Sequence, residues 1–257
     1  MDKKGITKYL LVYEIRNMLG NVFLIIFGVI FPVFMAILFA NVIAGQVPEY
    51  IQTDVLTTIF LNMMMIIPMA TMFLGYAGIY SQEVENKITL RLDLFGIKTR
   101  SILAAKILAN LVFLLASTAI YFAVVIPFVD IHTPSVMVVV LVVFIVVLLG
   151  SILLAIAHAI ADMAGKYNRT FSITMFLYFG SMVLSGMMGL PVSQFPPLVQ
   201  RIARFLPMTY MGTDSDFLLV WKGENYNPTS FILSFVFLIV VATVLLLISV
   251  WKKRRAN

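Results

Sequence analysis

The residues of this chain best able to do chemistry crowd into one stretch, Ser81–Lys106, which carries Glu83, Glu85, Lys87, Arg91, Asp93, Lys98, Arg100 and Lys106. Acids lead, bases follow, and apolar residues are threaded between them. That pattern suits docking by charge and by apolar contact rather than bond-making. At 3.6 residues per turn Val84, Ile88, Leu92 and Phe95 form one stripe, and Leu90 with Leu94 a second, separate strip. Two strips need two surfaces: the protein's own bundle or lipid covers one, and the other is left for a partner. A connector packed only on its own bundle fits the same pattern. Glu83 and Lys87 stand four apart, a spacing that supports a helix. Gly96 allows a turn, and Thr99 or Ser101 can cap the helix that follows.

Other candidate chemistry is thin. No G-x-x-x-x-G-K-[ST] occurs: Gly165-Lys166 is followed by Tyr167 and lacks the upstream glycine, so the chain has no P-loop for ATP. There is no H-E-x-x-H, and His132 and His158 are the only histidines. Gly150-Ser151 and Gly180-Ser181 are not nucleophile elbows. The absence of cysteine excludes disulfides and thiolate metal sites. No catalytic residue, metal site or cofactor is therefore expected on this chain. His158 and Asp162, four apart, read as a solvated helix end, with a pair between them or an Asp162–Lys166 pair as alternatives. Asn62, Asn110, Ser117 and Thr118 read as interhelical hydrogen bonds, and Pro68 as a kink. Met63–Met65, Met69, Met72, Met182, Met187 and Met188 read as packing, with an adaptable apolar path as the alternative.

The elements that must hold these residues are apolar. The chain is 61% hydrophobic and 12% charged, with a mean hydropathy of +1.02, whereas soluble domains carry about 25% charged residues. This is the composition of an all-α integral membrane protein, and 257 residues leave room for one membrane domain and no large soluble one. Six segments approach the ~20 residues a bilayer needs: Val22–Ala44, Val55–Tyr80, Ile102–Val129, Val136–Ala161, Phe171–Leu190 and Ser230–Trp251. The net charge of +6 comes from cations beside these spans, where they set orientation and do not signal nucleic acid. Lys3, Lys4, Lys8, Arg16, the 87–106 cations, Lys166, Arg169 and Lys252–Arg255 fall on alternate sides of the spans in register, which places both termini in the cytoplasm. The 191–229 loop, with Arg201, Arg204 and Lys222, is the exception. Ile6, Leu10 and Tyr13 at helical spacing predict an N-terminal amphipathic helix in the cytoplasmic interface, not a cleaved signal peptide. Leu198, Ile202 and Phe205, behind Pro196-Pro197, predict a short amphipathic helix in the last external loop.

The layout resembles that of the type-2 ABC transporter permeases. Glu83-Val84-Glu85-Asn86-Lys87-Ile88-Thr89-Leu90, leading to Leu94, Lys98, Arg100 and Ile102, is similar to the family's cytoplasmic E-x-E-x-x-x-T-L segment. Ser185-Gly186, Pro191, Pro196 and Leu206-Pro207-Met208-Thr209-Tyr210 resemble its external S-G…P…P…L-P-x-T-Y region. Two departures stand out: Ile88 occupies the place of a usual glycine, and Leu94-Phe95-Gly96-Ile97 the place of a small residue before Thr-Pro. The resemblance implies one membrane domain over 1–257: interfacial helix 1–20, spans one to five within 22–190 with a coupling loop at 81–101, external loop 191–229, span six 230–251 and tail 252–257. It further implies a permease subunit of an ATP-driven exporter in a bacterial cell membrane. Its partners would be a second permease chain and a separate P-loop ATPase binding ATP and magnesium. Glu83, Glu85, Lys87, Ile88, Leu90, Arg91 and Leu94 would contact and couple to that ATPase, and Ser185, Gly186, Pro191, Pro196, Pro207 and Tyr210 would shape the external motif. The substrate would be hydrophobic or amphipathic: a drug, a peptide such as a bacteriocin, a lipid or a lipid-linked glycan. A secondary transporter, an intramembrane enzyme and a membrane scaffold are the competing classes. The first lacks a mid-membrane carboxylate and the second a catalytic set.

Overall fold

The computed structural model describes the backbone of residues 3–212 and 217–256, and the side chains of 8–212 and 217–255. Asp214 and Asp216, two acids of the external loop, lie outside the described residues, as does the side chain of Ile6. Among the described residues every regular element is helical. In chain order these are α1 (Lys3–Leu19), α2 (Val22–Ala44), α3 (Glu49–Glu85), α4 (Ile88–Leu94), α5 (Thr99–Phe128), α6 (Val136–Ala164), α7 (Tyr167–Leu184), α8 (Pro197–Ala203), α9 (Phe217–Lys222) and α10 (Thr229–Ala256).

Five of them, α2, α3, α5, α6 and α10, are long and apolar enough to cross a membrane. The predicted fifth span, Phe171–Leu190, is displaced: α7 runs from Tyr167 to Leu184. Its first two turns carry Asn168, Arg169, Thr170, Ser172 and Thr174, and its 18 residues reach only about 27 Å against a hydrocarbon core of about 30 Å. Gly186 fixes the earlier stop. It takes a left-handed φ of 75°, the Gly186 N–H donates to Val183 O and the Met187 N–H to Met182 O, closing a Schellman cap.

α3 is the axis of the bundle. Its 37 residues span about 55 Å, well beyond the predicted Val55–Tyr80 at both ends. Its apolar window is 94% buried, against 22–39% for the other four spans, and α2, α5, α6 and α7 all pack on it. Met63, Met64, Met65, Met69 and Met72 are buried in that core, as are Met182 and Met187. The methionines are packing, as expected, and only Met188 of the group is exposed. Pro68 does more than kink the helix. The strand of hydrogen bonds breaks at Met65, whose N–H donates to Asn62 O, and a π-helical segment, Met69–Gly75, follows. Proline has no N–H to give to the carbonyl four residues back, so the helix must change register here.

A second π segment, Ile26–Ile30 in α2, lies against the first. The two approach through glycines: a Cβ on Gly28 would stand 2.6 Å from Thr71 Cγ2, and one on Gly75 2.2 Å from Leu24 Cδ1. Leu24 is itself buried and cannot swing aside. Interior polar groups mostly bond within their own helices: Asn110 Nδ2 donates to Lys106 O and Thr118 Oγ1 to Leu114 O. The expected interhelical bonds from these two residues do not form, because the carbonyl one turn back is the nearest acceptor.

Gly75→Ala should therefore overpack the α2–α3 crossing and cost about 1–3 kcal/mol. A lower thermal midpoint for the detergent-purified chain is expected, with partial recovery when Leu24→Ala is added. An unchanged midpoint in the single variant would contradict this packing.

Candidate functional site

The acidic and basic residues of the 81–106 stretch do not form one exposed patch. The helix preceding it ends at Glu85, and Lys87 turns the chain with φ 54°, the one positive φ at a non-glycine residue among those described. This break falls inside the predicted Val84–Ile88–Leu92–Phe95 stripe and divides it. Ile88 and Leu92 stay half-buried, but Phe95 swings out to 84% exposure, joining Leu94 at 81% and Leu90. The left-handed residue is Lys87, one position before the Ile88 that replaces a usual glycine, so the turn is made without that glycine. α4 then closes on a second Schellman cap: Gly96 N donates to Asp93 O, Ile97 N to Leu92 O, and Gly96 takes φ 81°. Leu92 and Ile97 pack together on Leu10 of α1 and on Ile102 and Ala105 of α5, the apolar contact that accompanies such caps.

Glu83 and Glu85 reach from the end of α3 to other helices, Glu83 into the interior and Glu85 across the surface. Lys106 Nζ lies 2.5 Å from Glu83 Oε1 and 2.7 Å from Glu14 Oε1, and all three side chains are about 5% exposed or less. One ammonium thus joins α1, α3 and α5 out of water. Glu85 is exposed, and its Oε2 accepts from the Tyr167 N–H at 2.7 Å, satisfying a free backbone donor at the first turn of α7 and placing negative charge at the positive end of its dipole. Two carboxylates at one helix end therefore hold three neighbouring helices, while Lys87, Leu90, Arg91 and Leu94 face outward.

Lys106 belongs to the charged stretch read from the sequence, but its pairing with Glu14 and Glu83 was not foreseen, though both Glu14 and Lys106 carried a signal. Glu14 sits between Leu10 and Met18 at i±4, and these three are the buried face of α1; Tyr13, placed on the predicted apolar face, is exposed. Lys106 is a charged residue inside a predicted span, which is a functional flag by default.

A second buried network lies nearby, between α3, α6 and α10. Tyr80 Oη donates to Asp162 Oδ1 at 2.9 Å, Ser249 Oγ to Asp162 Oδ2 at 3.2 Å, and Lys253 Nζ stands 2.6 Å from the same oxygen. His158 Nε2 is 3.5 Å from Asp162, its Nδ1 is 2.8 Å from Tyr76 Oη, and its ring stacks on Tyr80. Asp162 is thus not at a solvated helix end, nor paired with Lys166; the last turn of α10 supplies its cation. The sequence hid this because Lys253 is 91 positions away.

At the opposite end His132 and Lys222 both meet Asp54 Oδ1, at 2.5 and 3.2 Å, and Trp221 Nε1 donates to His132 O. The external motif residues converge partly. Ser185 is buried; Thr209 Oγ1 lies 3.4 Å from its hydroxyl and donates to Ala203 O, while Tyr210 Oη donates to Arg204 O. A Cβ on Gly212 would come 2.8 Å from Ser185 O. Pro191 and Pro196 precede the short helical turns Val192–Gln194 and Pro197–Ala203, and Pro207 opens Pro207–Met211. Leu198, Ile202 and Phe205 are exposed.

Five helices long and apolar enough to cross a membrane, with a buried Glu14–Lys106–Glu83 cluster at the basic end, define a polytopic helical membrane bundle. The family description "ABC-2 type transporter" matches residues 6–215, most of the chain, and the protein belongs to that family. No curated protein sequence matches the chain. Family membership makes it a permease-type membrane component and not itself an enzyme.

Lys106→Met would leave two buried carboxylates facing each other without a cation. A loss of about 3–5 kcal/mol is expected, read as a collapse of the thermal midpoint. Adding Glu14→Gln and Glu83→Gln should return most of it, and failure of the triple variant to do better than the single one would show that charge is not the cause.

Proposed function

We propose that this chain is the membrane-spanning subunit of an ATP-driven exporter, working with a second permease chain and with a separate P-loop ATPase that holds ATP and magnesium. The observation that carries the reading is the tip of α4: Leu90, Leu94 and Phe95 stand exposed beside Lys87 and Arg91, on a short helix whose base packs on α1 and α5. Apolar side chains that project from the charged end of a membrane bundle are costly unless a partner covers them. Orientation by the positive-inside rule puts this end, with both termini, in the cytoplasm, where an ATPase would meet it.

In this reading Leu90, Arg91, Leu94 and Phe95 make the contact, with Lys87 and Ile88 shaping its edge. Glu83 and Glu85 act inside the chain: they pass a displacement of α4 to α1, α5 and α7. ATP-driven closure of the ATPase pair would move α4, and the buried carboxylates would oblige the helices to follow. Among the described residues methionines fill the interior, which favours a path along the surface between two permease chains. Its walls would be apolar side chains, which favours a hydrophobic or amphipathic substrate: a drug, a peptide, a lipid or a lipid-linked glycan. Six crossings, with α7 as the fifth, bring both termini to the same side. The external motif about Ser185, Gly186, Pro191, Pro196, Pro207 and Tyr210 would close the outer end of that path.

The test is co-purification with an ATPase encoded beside the chain. Leu94→Asp with Phe95→Asp should leave insertion and thermal midpoint unchanged but reduce ATPase recovery at least about tenfold, as loss of paired central anchors does. Unchanged recovery together with unchanged transport-linked ATP hydrolysis would remove α4 as the dock. Transport by the chain alone in proteoliposomes would overturn the ATP-driven reading itself.

A further inference from the structure

A groove of about 780 Å³ runs along the outside of the bundle between α6, α7 and α10. Its walls are Ile160, Ile173, Leu177 and Leu245, and its rim at the basic end is Asn168 and Arg169. Ile173 and Leu177 are more than two-fifths exposed, so the groove opens sideways, away from the core. Arg169 to Leu177 is two turns of α7, about 12 Å, which is most of one leaflet of a hydrocarbon core about 30 Å thick. The depth therefore matches a single acyl chain reaching in from one membrane surface.

The charge at the mouth is uncompensated. Arg169 has no acidic partner within ion-pair distance among the described residues. The two carboxylates on neighbouring helix ends are already engaged. Asp162 is turned inward to Lys253, Tyr80 and Ser249, and Glu85 accepts from the Tyr167 N–H. Lys252 Nζ is held beside the groove through the carbonyl of Met163, a residue that also lines it, and Lys166 is exposed one turn before Arg169. An apolar slot one leaflet deep, under a cluster of cations with no anion of its own, is complementary to a molecule with acyl chains and a negative headgroup.

We propose that this groove is a binding site for an anionic phospholipid of the leaflet at the basic end: one acyl chain lies along Ile173, Leu177 and Leu245, and the phosphate meets Arg169 with Asn168. The lipid is bound as a structural ligand between α6, α7 and α10, and is not the cargo. It would tie α7, whose first two turns are polar, to the α6–α10 pair. The site stands apart from α4 and the Glu14–Lys106–Glu83 triad, so it does not depend on the ATPase reading.

The experiment is native mass spectrometry of the full chain in mild detergent, titrated with phosphatidylglycerol or with phosphatidylcholine of the same acyl composition. The wild-type chain should retain phosphatidylglycerol about fivefold or more over phosphatidylcholine, and Arg169→Gln should lower that preference by about fivefold, the effect of one cation at a charged surface. Ile173→Trp, which fills the slot and leaves Arg169 in place, should reduce retention of both lipids. Lys222→Gln, at the far end, should change nothing. Equal retention of the two lipids, an unaltered preference in Arg169→Gln, or an equal drop in Lys222→Gln would overturn the proposal. Because the chain has no cysteine, Ile173→Cys adds a further check: efficient disulfide formation between two copies in native membranes would show that a second chain fills the groove instead, and would overturn it as well.

Discussion

A lysine held between two carboxylates, away from water, is the constraint on which the basic end of this molecule depends. Lys106 enters from α5, Glu14 from α1 and Glu83 from α3. None of the three can leave without stranding charge in a low-dielectric setting, where an unpaired ion costs several kcal/mol. The three helix ends therefore keep a fixed relation, and α4, which begins a few residues after Glu83, inherits its position from theirs. Glu85 adds α7 to the same group through one backbone hydrogen bond. Rigidity here comes from a few polar contacts, because apolar packing against lipid gives helices little reason to choose one another.

The two ends of the bundle are held by the same kind of chemistry at different depths. Asp162 gathers α3, α6 and α10 at the basic end, with four groups around one carboxylate whose side chain is about 5% exposed. Asp54 gathers α3, the loop before α6 and α9 at the other end, but with its side chain about a third exposed. The Asp162 carboxylate is the more sheltered of the two, though its Lys253 partner is itself half-exposed, and the Asp54 cluster is open to screening by salt. Between them lie the paired π segments of α2 and α3, where glycine lets two helices touch backbone to side chain. The central helix is thus clamped at both ends and closely fitted in the middle.

Much of this was legible in the residues. The apolar runs gave the all-helical membrane fold and most of its crossings, since length and hydropathy leave few alternatives in a bilayer. Gly96 and the α4 segment were visible as a short helix and a turn. The less regular features were not. The Val84–Phe95 stripe requires one unbroken helix, and the left-handed Lys87 breaks it; a lysine gives no sign of that conformation, whereas a glycine would. α7 ended early at Gly186 because a Schellman cap is a local choice that hydropathy averages away. The roles of Glu83 and Asp162 turned on partners 23 and 91 positions distant, and no local spacing connects them. Exposed charge and buried charge look alike in a sequence until the neighbouring helices are in place.

The burial of α3 has a consequence for how the chain is made. A helix almost wholly surrounded by its own protein has no face adapted to lipid, and its apolar window, at a mean hydropathy of 1.8, is the least apolar of the five spans. The translocon releases helices roughly in chain order, so α3 emerges with only α1 and α2 ahead of it. The Gly28 and Gly75 contacts give it one companion at once. The rest of its surface stays unmatched until α5, α6 and α7 arrive, and during that interval Glu83 has no lysine. Assembly in the membrane is therefore a wait for the third crossing, and the span that organises the finished bundle is the one least able to stand in the bilayer alone.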